Sequence, residues 1–101
     1  YSVPGAGAHN FSMDEPNGML YAAFYNGGVR VLDVRGDLGN CTAEQKFTDG
    51  RCDLAKMGRL RGVGLQDRGK PVFVWGAHFV GSHVYASDML NGLWKLRGVS
   101  R

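Results

Sequence analysis

Leu20-Tyr21-Ala22-Ala23-Phe24-Tyr25-Asn26-Gly27-Gly28-Val29-Arg30-Val31-Leu32 and Val84-Tyr85-Ala86-Ser87-Asp88-Met89-Leu90-Asn91-Gly92-Leu93-Trp94-Lys95-Leu96 are two versions of one β-hairpin. They align without a gap at a constant offset of 64 residues. The Tyr-Ala pair, the turn glycine, the apolar residue after it and the closing leucine all fall in register. A unit that recurs at a fixed offset buries its apolar faces against its neighbours, as in solenoids, propellers and arrays. The repeat therefore speaks to architecture before it speaks to activity.

Working outward, residues 7–13 read as a first strand. The turn Asp14-Glu15-Pro16-Asn17-Gly18 follows, in which proline presets φ and Asn-Gly supplies left-handed positions. Residues 19–25 and 29–34 complete an antiparallel meander around the Asn26-Gly27-Gly28 turn. Residues 35–53 break the alternation and read as an inserted loop. A fourth strand is expected within 55–65, with a short helical turn as the other reading of its beginning. Residues 66–71 are a polar connector, and the cycle restarts with strands at 72–79, 83–89 and 93–97. Removing an insertion of roughly 20 residues from the 64-residue offset leaves a unit near the ~40–45 residues of a propeller blade.

The first unit is apolar on both strand faces: Tyr21, Phe24 and Tyr25, then Val29, Val31, Leu32 and Val34. Sheets greasy front and back fit blades stacked between neighbours. The expected fold is all-β: two consecutive antiparallel β-propeller blades, four strands plus three. Blade one spans 7–65 with the loop 35–53 inserted, and blade two spans 71–97. Two units are fewer than the three or more that repeat arrays need. The chain of 101 residues is therefore expected to be part of a larger propeller, with the missing part on its N-terminal side.

Val29-Arg30-Val31-Leu32-Asp33-Val34 is an apolar strand carrying an aspartate, and the chain here resembles the LVIVD-repeat β-propeller proteins, found mainly in bacteria. His9-Asn10-Phe11, Asp14-Glu15, Gly18, Leu20-Tyr21-Ala22-Ala23 and Tyr25-Asn26-Gly27-Gly28 fit a blade of that family. The segment from Val84 to Leu96 fits the next blade, although Leu96-Arg97 stands where Leu-Asp is the pattern. The resemblance implies a propeller with an export or surface-anchoring signal and names no activity, because propellers host many unrelated ones.

Glycine makes up 16 of the 101 residues, against a usual share of about 7%, as many tight turns require. No apolar run approaches the ~20 residues of a membrane span. Residues 1–50 hold three Lys/Arg and six Asp/Glu, residues 51–101 nine and three, so the balances are −3 and +6. The basic residues are scattered, with Arg59 and Arg61 on one strand face, and lack the stripe with exposed aromatics that nucleic acid wants. No nucleic-acid partner is expected.

Cys41 and Cys52 are the only cysteines. Four closely paired zinc ligands are absent, so a disulfide closing the loop is the expected use, with two free thiols as the other. A disulfide implies an oxidising location: extracellular, periplasmic or cell surface. His9 and His78 each fall on the first strand of their unit, the strand that lines a propeller's channel. They are the candidate ligand or metal residues; hydrogen bonding of His9 to the chain or to channel water is the structural alternative. Asp14, Glu15 and Asn17 lack calcium-loop spacing. Gly5-Ala6-Gly7 does not continue as a phosphate cradle, so no cofactor is expected. Ser82 beside His83, with Asp88 nearby, reads as loop composition. Trp75 and Trp94 read as inter-blade packing. The expected role is a non-catalytic binding or scaffold module, with a metal-assisted enzyme as the alternative; the expected partners are the remaining blades and a protein or small-molecule ligand.

Overall fold

A computed structural model describes residues 1–66 and 69–99, folded as two antiparallel sheets. Strands β1 (Phe11–Asp14), β2 (Met19–Ala23), β3 (Val29–Asp33) and β4 (Leu60–Gly64) form the first, in that spatial order. Strands β5 (Val74–Val80), β6 (His83–Asp88) and β7 (Gly92–Arg97) form the second. Among the described residues neither sheet closes into a barrel. Among the described residues the only helical element is a 3-10 turn at Ala43–Gln45.

The hairpin turns form where the local chemistry asks for them. Gly18, Gly28 and Gly92 take φ of 67°, 76° and 97°, a region costly for residues with a Cβ. Gly28 is also sterically obligatory, because a Cβ there would collide with the carbonyl oxygen of Gly64 on β4.

The two copies of the hairpin bury different amounts. Met19, Tyr21, Ala23, Val29 and Val31 line the inner face of the first sheet and pack against Val74, Ala77, Val84 and Ala86 of the second. The outer face of the first sheet is covered in part by residues 1–6, where Val3 packs on Ala22 and Phe24. β3 is consequently buried along its whole length. β6 instead alternates half-exposed and buried, so the second sheet is covered on one face only.

Glycines on β4 set the spacing between the sheets. Gly62 and Gly64 lie opposite Val31 and Val29, and a Cβ on them would press on Val99 and Leu96. Without side chains there, the tail of β7 comes in close. A cavity of about 200 Å³ remains between the sheets, lined by Tyr21, Val29, Val31, Val84, Leu96 and Val99.

Most strand limits differ from the sequence expectation by a residue or more, and three of the differences change what the strand does. β1 begins at Phe11, not at residue 7, although backbone bonds from His9 N–H to Ala23 O and from Ala23 N–H to Asn10 O continue the pairing irregularly. β2 ends at Ala23 because Tyr25 turns to φ 44° and exchanges both backbone bonds with Val74 (2.8 and 2.9 Å). Residues 54–58 form turns and no helix, and only Leu60–Gly64 pairs as strand.

Candidate functional site

β1 and β5 are the edge strands of their sheets and lie beside each other, and the outer edge of β5 is met by the Tyr25 backbone at Val74 and further along by side chains from the first sheet. Ser12 Oγ accepts from the Phe79 N–H at 2.9 Å, and His9 Nδ1 meets the Trp75 carbonyl at 2.7 Å. Since a carbonyl only accepts, Nδ1 carries a proton, and in the neutral ring Nε2 holds the lone pair. Metal-ligating histidines are commonly oriented by such a bond. The His9 ring also sits 5.5 Å from Tyr25 and 6.1 Å from Trp75, and Tyr25 in turn is 4.5 Å from Phe73.

His9 lies ahead of β1, not on it, and its side chain is exposed. His78 is on β5 as expected, also exposed. Among the described residues, no three His, Cys, Asp or Glu side chains gather as a metal cluster. Trp94 packs against the core, whereas Trp75 is 44% exposed and its ring meets the first unit edge-on at His9.

Cys41 and Cys52 are disulfide-bonded, with Cα atoms 6.0 Å apart. The bond closes a loop held by its own contacts: a bridge between Lys46 and Cys52, an Asp49–Arg51 ion pair at 2.8 Å, and Arg51 over the Phe47 ring. This loop extends from the β3 end of the first sheet and returns to β4.

At the loop's root, Asp33 gathers three arginines that sequence reading left unconnected. Arg35 binds it at 2.7 Å, Arg59 lies at 3.6 Å and Arg61 at 3.9 Å. The Arg35 backbone N–H, and then its guanidinium and that of Arg59, hold the Asp33 carboxyl below its usual range against the opposing effect of burial. Arg59 also donates to the backbone carbonyls of Asp33 and Arg35. The aspartate thus fixes where the loop leaves the sheet. Its link to Arg61 spans 28 positions, too far apart to be seen in a single sequence.

Asp88 organises the second sheet in the same way. Ser82 Oγ does contact His83 Nδ1 at 3.1 Å, but the Asp88 carboxylate lies at the other end of β6, roughly 17 Å away by strand rise. It is occupied by Asn91, Phe73, Trp94 and Leu90. No nucleophile triad is assembled from these residues.

No family model, curated protein or solved structure matches this chain. No helix among the described residues is long and apolar enough to cross a membrane.

Proposed function

We propose that this chain is a non-catalytic binding or scaffold module whose two sheets are neighbouring blades of a β-propeller of the LVIVD-repeat type. The observation that carries the reading is the junction of the sheets. Two copies of one hairpin pack face to face, and their edge strands β1 and β5 run side by side, stapled by His9 and Ser12. Further sheets of the same kind would cover the remaining faces. The disulfide supports an extracellular, periplasmic or cell-surface location. The stapled loop supplies an ordered surface for a protein or small-molecule ligand, as binding loops on rigid scaffolds do.

The test is the structure of the native protein isolated from its source. Additional antiparallel sheets on both outer faces, radiating from an axis beside β1 and β5, are expected. A free-standing pair of sheets would end the reading.

One observation favours a second reading, a metal-assisted enzyme using His9 and His78. The Trp75 carbonyl leaves His9 Nε2 free to bind a metal. Metal analysis of the native protein beside its His9→Ala variant decides it: a stoichiometric ion lost in the variant supports this reading, and no ion removes it.

A further inference from the structure

The packing between the two sheets contains its own continuation. The buried inner face of the first sheet, Met19, Tyr21, Ala23, Val29 and Val31, aligns at the 64-residue offset with His83, Tyr85, Ser87, Leu93 and Lys95. Side chains alternate along strands, and Val84 and Ala86 point into the core, so these five stand on the outer face of the second sheet. Leu93 there is 71% exposed, and Val80, on the same face, 62%.

The converse holds for the first sheet. Phe11 pairs with Ala22 as Ala77 pairs with Ala86, so Phe11 and Met13 occupy the register positions of Ala77 and Phe79. Ala77 and Phe79 pack in the core, and Phe79 stacks on Tyr21 with centroids 5.1 Å apart. Phe11 and Met13 are 58% and 41% exposed. The second sheet's copy of the internal interface is therefore exposed, and the first sheet's copy is exposed along β1, while residues 1–6 cover Ala22 and Phe24 beside it.

We propose that a second copy of this chain docks head to tail, seating the exposed β1 side of its first sheet's outer face on the outer face of its neighbour's second sheet. The proposal rests on the reading of the two sheets as equivalent units. It repeats the internal junction across copies: Met13 takes the place of Phe79 over Tyr85, and His78 the place of Ser12 beside the free edge of β1. The two faces differ, so the contact is heterologous, and successive copies close a ring or extend. His83, Ser87 and Lys95 replace Met19, Ala23 and Val31, which makes the contact more polar than the internal one. Lys95 keeps its ammonium wet by laying its stem along the face. The association is accordingly reversible and concentration-dependent.

The experiment follows the mass of the full chain by light scattering and native mass spectrometry over a concentration series, with Leu93→Glu and Met13→Glu variants. Val80→Glu replaces Leu93→Glu if that variant loses its circular dichroism. The wild type is expected to oligomerise, and each variant to associate about tenfold or more weakly. A mixture of the two variants is expected to form a one-to-one dimer, because each retains the face the other lacks. A wild type that stays monomeric, a mixture that stays monomeric, or a Met13→Glu variant that still self-associates like wild type would each overturn the proposal. An NMR contact between the Tyr21 and Phe79 rings separates the two levels. If it persists in a monomer, copy docking fails while the packing of the two repeats on each other stands; if it is missing, both fail.

Discussion

The indole N–H of Trp94 donates to Oδ2 of Asp88 at 2.9 Å, tying the last strand to the end of the one before it. The same carboxylate accepts from Asn91 Nδ2 at 2.7 Å and from the backbone N–H groups of Phe73 and Leu90 at 2.9 Å each. One buried side chain thus closes the β6–β7 turn and anchors the start of β5. Asp88→Ala would orphan four donors at once. Hydrogen bonds to charged groups contribute roughly 1.5–3 kcal/mol each before water recovers some of them. We expect a net loss of about 2–4 kcal/mol in urea unfolding, with Asp88→Asn less severe because its amide oxygen still accepts.

Acid sensitivity should trace to the same residue. Burial alone would raise the Asp88 carboxyl, but the bonds from Asn91, Phe73, Trp94 and Leu90 outweigh it and lower the pKa from 3.8 to about 2. A depressed folded pKa contributes stability above the unfolded value, and that contribution is lost as pH falls through the folded one. Stability should therefore drop between about pH 4 and pH 2, by roughly 1–2 kcal/mol after allowing for solvent screening. In Asp88→Asn this limb of the stability profile should flatten; an unchanged profile would assign the acid sensitivity to other carboxylates.

Much of the fold was legible because the signals were local. The Asp14-to-Gly18 turn, the two Gly-bearing hairpin turns and the alternating strands each declare themselves within a few residues, and the seven strands of the described residues, in sheets of four and three, follow. The all-β class and the cysteine pairing were readable for the same reason. What escaped was contact across the chain. Arg59 and Arg61 were legible as one face, yet nothing nearby marked Asp33 as their partner. Tyr25 reads as a strand residue until Val74 pulls its backbone to positive φ. His9 and Trp75 are 66 positions apart, and a bond between a ring nitrogen and a backbone carbonyl leaves no residue-type signature. Asp88 looked incidental because its importance lies in four donors assembled by the turn, only two of which, Leu90 and Asn91, are its near neighbours in the chain.

Gly28 should be the least replaceable turn residue. Alanine there meets a φ of +76° and the Gly64 carbonyl oxygen, a backbone atom that cannot swing away. The left-handed conformation and the clash together should cost about 2–4 kcal/mol. Gly92→Ala carries only the conformational cost, because nothing lies within 4 Å of its added Cβ. Parallel thermal melts of the two variants should rank Gly28→Ala well below Gly92→Ala; equal melting points would contradict the close approach of β4.

Reduction of the disulfide should loosen the loop and spare the sheets. The Cys41–Cys52 bond joins residues 11 apart in a segment with no strand of its own. Closing so short a loop is worth about 3 kcal/mol by chain entropy at most. The β4 end is held independently by Arg59 and Arg61 on Asp33. Cys41→Ser/Cys52→Ser should therefore speed amide exchange within 41–52 while protection in β2 and β3 stays close to wild type. Loss of protection in those strands would mean that the loop bond stabilises the first sheet itself.

Tyr21 tests the junction of the sheets directly. Its ring stacks on Phe79 at 5.1 Å with planes 15° apart, and its hydroxyl accepts from the Val99 N–H at 2.8 Å. Burial raises its pKa, with the Val99 bond acting in the opposite direction, as expected for a phenol held within the core. Tyr21→Phe keeps the stack and strands the Val99 N–H, a loss of about 1–2 kcal/mol. Tyr21→Ala also empties the space beside the existing cavity and should cost about 3–5 kcal/mol. Because Phe79 and Val99 belong to the second sheet and its tail, Tyr21→Ala should bring protection in β5 down together with that in β2. Equal melting of Tyr21→Ala and wild type would mean that the two sheets do not rest on each other through this residue.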